Sequence, residues 1–287
     1  MKILNFGSLN IDMTYFVGEM ASAGKTVASF EFKRSFGGKG LNQSVALARS
    51  GANVFHAGKV GSDGLDLRDF LASVGADVSF VDVSDVPTGN AVIQVDKSGE
   101  NCIVVYGGAN RDVSKEYAEK VLSHFGAGDC IVLQNEISNV RYIAAQARER
   151  GMTVFFNPSP LDGLDVPLSD VDWLILNETE AEAIFGTFDA EKIRAAVTRD
   201  TPGLKVVMTL GSKGSVYIGP DGIITVEAER VRAVDTTGAG DTYTGYFIGE
   251  LSLGSGIEKA MKTASRAAGI SVTRKGAAMS VPKREEL

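Results

Sequence analysis

Residues 130–157 read CIVLQNEISNVRYIAAQARERGMTVFFN. Two short apolar runs, Cys130–Gln134 and Thr153–Asn157, flank a helical pattern over Asn139–Arg150. Runs this brief and continuous suit strands buried on both faces. A strand, a helix and a second strand within about 30 residues make a βαβ unit, which implies a parallel pair.

The same rhythm extends outward. Lys2–Phe6, Asn53–Val60, Trp173–Leu176 and Val206–Leu210 read as further strands. Gly40–Ser50, Leu65–Val74, Lys115–Phe125, Ala190–Arg199 and Thr242–Leu251 read as helices. The expected fold is therefore α/β, with a mostly parallel central sheet flanked by helices. Two regions, Met13–Phe36 and Thr88–Tyr106, read as strands with little helix. Within the second, Ala91–Asp96 and Cys102–Tyr106 flank a Ser-Gly turn and form a hairpin. The two regions, about 13–36 and 88–106, are expected to join as a small β-sheet lid. Tyr217–Pro220 and Ile223–Val226 make another hairpin at the sheet edge. No repeat or low-complexity linker interrupts 1–287, so one domain carrying a lid is expected.

Composition excludes several chemistries. The formal charge is −7, which argues against nucleic acid, whose affinity rests on clustered Lys and Arg. No apolar run reaches the roughly 18 residues of a membrane span. With no signal peptide, the expected location is cytoplasmic. Two histidines, His56 and His124, and two cysteines, Cys102 and Cys130, provide neither a structural zinc site nor a disulfide framework. Glycine is in excess, at 33 residues.

Gly24-Lys25-Thr26 resembles the end of a P-loop, but five residues separate Gly18 from Gly24 and a β-like stretch follows. Asp235-Thr-Thr-Gly-Ala-Gly-Asp241 is a sharper signal, because a helix follows it. A glycine turn feeding a helix N-terminus is an anion site. Asp241 could merely cap that helix, or it could take a proton from a hydroxyl beside the anion. Phe36-Gly-Gly-Lys-Gly40 opens another helix, with Asn42 on its first turn. In Gly7–Asp12, Asn10 and Asp12 are two apart and face one side of an extended segment. Asn135-Glu136, Asn177–Glu180 and Gly211–Gly214 follow strand ends, where parallel α/β sheets bind ligands.

Gly37–Gly40 (GGKG) and Gly238–Asp241 (GAGD) are the two signatures of the ribokinase family of carbohydrate kinases, which this chain resembles almost end to end. Supporting segments are Gly7–Asp12, Gly108–Asn110, Asn157–Pro160, Asn177–Glu180, Thr209–Gly214 and Val272–Gly276. The resemblance implies a three-layer ribokinase-like fold and transfer of the γ-phosphate of ATP to a primary hydroxyl. D-ribose is the first substrate it suggests, with another pentose, a ketohexose or a nucleoside as alternatives. A sugar-binding regulator without catalysis would have lost Asp241 or its glycines, and neither is lost.

The resemblance also implies roles. Asp241 becomes the catalytic base, and the backbone of Gly238, Ala239 and Gly240 the anion hole. Asn10, Asp12, Gly38, Lys39, Asn42, Glu136 and Asp241 match sugar-binding positions. Asn177, Thr209, Leu210, Gly211, Ser212, Lys213, Gly214, Gly240 and Ser265 match ATP positions. Glu180 matches an acid that organises Mg²⁺ through water. Asp235, Thr237, Ser271, Arg274, Gly276 and Ser280 match a K⁺ loop, partly through backbone carbonyls. The β lid implies a homodimer contact. Lys25 stands where the family usually has an acid, Ser265 where it often has His, and Leu287 where a final helix commonly follows. These departures bear on the lid contact and sugar choice, not on the catalytic set.

Overall fold

The computed structural model describes residues 1–287. The first strands are β1 (Ile3–Phe6), β2 (Asn10–Val17), β3 (Ser29–Gly37), β4 (Val54–Gly61) and β5 (Asp77–Ser84). They are followed by β6 (Gly89–Val95), β7 (Asn101–Tyr106), β8 (Cys130–Gln134), β9 (Thr153–Asn157) and β10 (Trp173–Asn177). The last are β11 (Lys205–Thr209), β12 (Ser215–Gly219) and β13 (Gly222–Val226). The helices are α1 (Lys39–Arg49), α2 (Leu65–Ser73), α3 (Lys115–Leu122) and α4 (Val140–Glu149). The chain completes with α5 (Glu178–Phe185), α6 (Ala190–Asp200), α7 (Ala239–Ser252) and α8 (Ile257–Ser271).

Nine strands form one sheet in the order β13-β12-β11-β10-β9-β8-β1-β4-β5. From β11 to β5 all pairs are parallel, and β12 and β13 add an antiparallel edge. One face packs against α1, α2, α7 and α8, the other against α3 to α6. Strand alternation sorts the side chains. Ile3 of β1 and Cys130 and Val132 of β8 face the α1/α7 layer, while Leu4, Ile131 and Leu133 face the opposite layer. Asn5 and Gln134 continue the first set, which places two amides under α1.

A separate four-stranded sheet has the order β3-β2-β6-β7. It joins the two β-rich regions expected to meet. The sequence did not signal β5, α5 or α8. β5 is an edge strand with alternate residues in solvent, so it lacks the apolar run of a central strand. α5 starts within the segment read as a strand-end loop, because Asn177 caps it directly after β10. The buried stripe of α8 is mainly alanine, Ala260, Ala264 and Ala267, a weak periodic signal.

α1 and α7 cross with little side chain between them. A Cβ added at Gly245 would lie 2.4 Å from the Ala46 Cβ and 2.9 Å from the Gln43 carbonyl oxygen. Gly245→Ala should therefore push the helices apart and cost roughly 1–3 kcal/mol by overpacking. Denaturant unfolding should show the loss. A stability equal to that of the parent would contradict so close a crossing.

Candidate active site

The approach of α7 to α1 sets the centre of the site. Asp241, in the first turn of α7, is 6% exposed. Its Oδ2 accepts from Asn42 Nδ2 at 3.0 Å and its Oδ1 from Gln43 Nε2 at 2.9 Å. Gly238 caps α7 with φ 74°, a left-handed conformation that suits glycine. The Ala239 N–H is taken by the Thr236 carbonyl at 3.2 Å. The N–H groups of Gly238, Gly240 and Asp241 have no partner in the chain. The free donors thus include Asp241 and omit Ala239, unlike the set implied by the motif. They border a cavity of about 230 Å³, also lined by Lys39, Asn157, Asn177, Glu180, Thr209 and Thr244.

A polar cluster lies at the start of α1. Glu136 accepts from the Ser8 hydroxyl and, at 2.9 Å, from the Lys39 N–H. Burial raises the Glu136 carboxyl above its ordinary range, despite those hydrogen bonds. Burial also raises Asp12, to about 6, and the nearby Glu136 charge adds to the shift. Burial works against the Lys39 charge, but the carboxylates of Asp241, Glu136 and Glu180 outweigh it and raise the ammonium pKa. Asn10 Oδ1 accepts from Asn110 Nδ2 at 2.7 Å. The backbone is close here: a Cβ on Gly40 would lie 2.3 Å from the Ser8 nitrogen. Asn10, Asp12, Gly38, Lys39, Asn42, Glu136 and Asp241 are thus gathered around one end of α1.

Beyond α7 lies a second cavity of about 430 Å³, more apolar, which shares Thr209, Thr236, Ala239 and Gly240 with the first. Gly211, Ser212, Gly214 and Ser265 line it, with Tyr243, Ala268 and Val272. Leu210 and Lys213 do not: Leu210 packs on the apolar core and Lys213 pairs with Glu178 at 3.4 Å. Asn177 and Glu180 form a reciprocal cap, each side chain accepting from the other's N–H at 2.9 Å.

The 235–238 and 271–280 segments meet. Asp235 accepts from Thr237 Oγ1 at 2.7 Å, Thr237 N at 3.0 Å and Gly276 N at 2.8 Å. Burial opposes its charge, but these donors prevail and hold its carboxyl below the usual range. Ser271 and Ser280 donate to the Ala268 and Ala277 carbonyls. The Arg274 side chain turns away to Glu286, so only its backbone is left for this loop.

Sequence reasoning missed Gln43, Ser8, Asn5 and Gln134. Asn5 and Gln134 have a signal, since each is an amide at a core position of an apolar strand, and a buried amide needs partners. His56 is buried in β4 and bonded through Nδ1 to Ser44, and burial lowers its pKa to about 3.

A buried carboxylate beside free N–H donors, between a polar cluster and an apolar cavity, is the arrangement of a phosphotransferase that acts on a hydroxyl. The description that matches residues 1–284 is "pfkB family carbohydrate kinase". A ribokinase of Haemophilus influenzae is 38% identical, covering 98% of this chain and 95% of its own. A deoxyribokinase of Salmonella typhi is 33% identical, covering 100% and 97%. The structure of Arabidopsis thaliana ribokinase complexed with ribose and ATP superimposes with a TM-score of 0.86 at 29% identity, covering 99% and 96%. The chain belongs to the pfkB family of carbohydrate kinases.

Two outcomes test the geometry. Folded Asp12 holds its proton to about pH 6, against an ordinary value of 3.8. Between those values the native state binds more protons, so this residue's effect on stability becomes unfavourable as pH rises. Asp12→Asn should raise the melting temperature of the ligand-free protein at pH 7, and the gain should vanish below about pH 4. Equal melting at pH 7 would contradict the buried charge. A Cβ on Gly240 meets nothing within 4 Å. Gly240→Ala should therefore fold as the parent does, while its methyl intrudes where the two cavities join and lowers turnover at least tenfold. Parent-like kinetics would contradict the placement.

Proposed function

We propose that this protein is an ATP-dependent ribose kinase that converts D-ribose and ATP to ribose 5-phosphate and ADP. The observation that carries this is the Asp241 carboxylate, buried beside free N–H groups and flanked by cavities of opposite polarity. The relatives named ribokinase, at up to 38% identity over nearly the whole chain, support the same substrate.

In this mechanism Asn10, Asp12, Asn42 and Glu136 bind the sugar hydroxyls, with the Gly38–Lys39 backbone alongside. Asp241 takes the proton of the 5-hydroxyl as its oxygen attacks the γ-phosphorus. The bond from that phosphorus to the bridging oxygen breaks, and ADP leaves. The N–H groups at the start of α7 hold the charge on the transferred group. Lys39 adds a positive charge. Thr209, Gly211, Ser212, Gly214 and Ser265 border the nucleotide, and the apolar cavity takes its base.

Mg²⁺ supplies charge neutralisation on the phosphates when bound. Glu180 fits it: one oxygen is engaged in the cap, the other has no partner in the protein, and the residue lines the polar cavity. One carboxylate with water and phosphates is ordinary for this ion. Asp235, the Thr237, Ser271 and Ser280 oxygens, and the carbonyls near Arg274 and Gly276 fit K⁺, a weakly demanding oxygen-seeking ion. The small sheet acts as a lid, since β2 carries Asn10 and Asp12. Its edge strands expose Phe30, Phe32, Val104 and Val105, which suits contact between two copies.

Asp241→Asn should keep its fold and lose roughly 10²–10⁴-fold in kcat. Near-parent turnover would remove Asp241 as the base. A panel of D-ribose, 2-deoxy-D-ribose, D-fructose and adenosine with ATP and Mg²⁺ should give the highest kcat/KM for ribose, falling without K⁺. Preference for 2-deoxyribose would move the protein toward its deoxyribokinase relative. No phosphorylation of any acceptor would refute the kinase proposal.

A further inference from the structure

Under the site lies a chain of buried amides that the proposed mechanism leaves unused. Asn5, Gln43 and Gln134 are each at most 1% exposed. Asn5 Nδ2 donates to the Gly40 carbonyl at 2.7 Å and to Ser44 Oγ at 2.8 Å. Its Oδ1 accepts from Gln134 Nε2 at 2.9 Å. Gln134 Nε2 also donates to Gln43 Oε1 at 2.7 Å. Gln43 Nε2 then donates to Asp241 Oδ1 at 2.9 Å.

Every orientation in that chain follows from its first member. A backbone carbonyl only accepts, so Asn5 must turn its NH₂ to Gly40 and its oxygen to Gln134. Gln134 must answer with its NH₂, which leaves Gln43 presenting oxygen to Gln134 and NH₂ to Asp241. A second chain reaches the same end. Asn157 Nδ2 donates to the Ile175 carbonyl at 2.9 Å, so its Oδ1 faces Gln43 Nε2 at 3.4 Å. Two backbone carbonyls in different strand and helix segments therefore impose one polarity on Gln43.

The consequence falls on Asp241. Asn42 and Gln43 each aim an amide N–H at one of its oxygens, so neither of these contacts offers a lone pair to a carboxyl proton. Given that Asp241 is the base proposed above, we infer that Gln43, with its amide oriented by Gln134, is a positioning residue that holds the Asp241 carboxylate in its proton-accepting geometry. Gln43 acts through Asp241, and Gln134 acts only through Gln43.

A double-mutant cycle in the full-length protein tests this, with kcat and both KM values measured under saturating Mg²⁺ and K⁺. Gln43→Met keeps the length and removes the donor. It should lower kcat by roughly 10–100-fold, the scale of a misplaced catalytic group. KM for ribose and ATP should stay within about twofold, because the effect falls on the reacting base. Gln134→Met, which does not touch Asp241, should lower kcat by a smaller factor with the same KM pattern. The double variant should be no slower than Gln43→Met alone, since the second change removes only the support of the first. A kcat loss below threefold in Gln43→Met overturns the inference. So does a loss confined to KM, or losses that multiply in the double variant. Should Gln43→Met fail to fold, unchanged kcat in Gln134→Met would overturn it independently. An inactive Asp241→Asn beside a fully active Gln43→Met would remove this support alone, whereas an active Asp241→Asn would remove the base itself.

Discussion

The Asp241 carboxylate is bound by two amides nearly 200 residues earlier in the chain, on consecutive positions of another helix. That bond pair needs α1 and α7 at backbone contact, and Gly245 permits the approach. It also needs α1 to begin close against the end of β1, where Gly40 lies on the Ser8 backbone. The parallel sheet provides both conditions. β1 and β8 lie side by side at its centre and end at the same level, so Asn5, Gln134 and the loops beyond them meet α1 from below.

The site holds more buried negative charge than the fold alone would favour. Asp241, Glu136 and Glu180 surround Lys39, Asp12 lies near Glu136, and the Asp12 and Glu136 carboxyls are both pushed up by burial. Ionised carboxylates withdrawn from water destabilise the ligand-free protein unless something replaces the lost hydration. Sugar hydroxyls are suitable donors for that purpose. The same groups that weaken the empty protein are thus the ones a polyhydroxylated ligand would satisfy.

Much of this was legible from residue order. β8 and β9 have the bounds read from their apolar runs, and the β-rich regions pair as one small sheet. The glycine turn before α7 was recognisable as a source of free backbone donors, because two glycines and a carboxylate there feed directly into a helix N-terminus. Which N–H groups remain free depended on the turn itself: Thr236 takes Ala239, a detail invisible in the order Gly-Ala-Gly-Asp. β5, α5 and α8 were hidden for separate reasons, namely an edge strand with alternate residues in solvent, a cap that resembles a loop, and an alanine stripe. The amide relay was least legible. An Asn or Gln in an apolar run, as Asn5 and Gln134 are, looks like the frayed end of a strand, and only the fold reveals that both meet Gln43 of α1.

The central claim is that one carboxylate, held by Asn42 and Gln43, faces both the sugar hydroxyl and the phosphoryl group it receives. A crystal structure of the protein with D-ribose and a non-hydrolysable ATP analogue tests it most directly. The 5-hydroxyl should lie within about 3.2 Å of an Asp241 oxygen, with the γ-phosphate on the free N–H groups of α7. A ribose whose 5-hydroxyl pointed away from Asp241, or a γ-phosphate bound elsewhere in a closed complex, would contradict it.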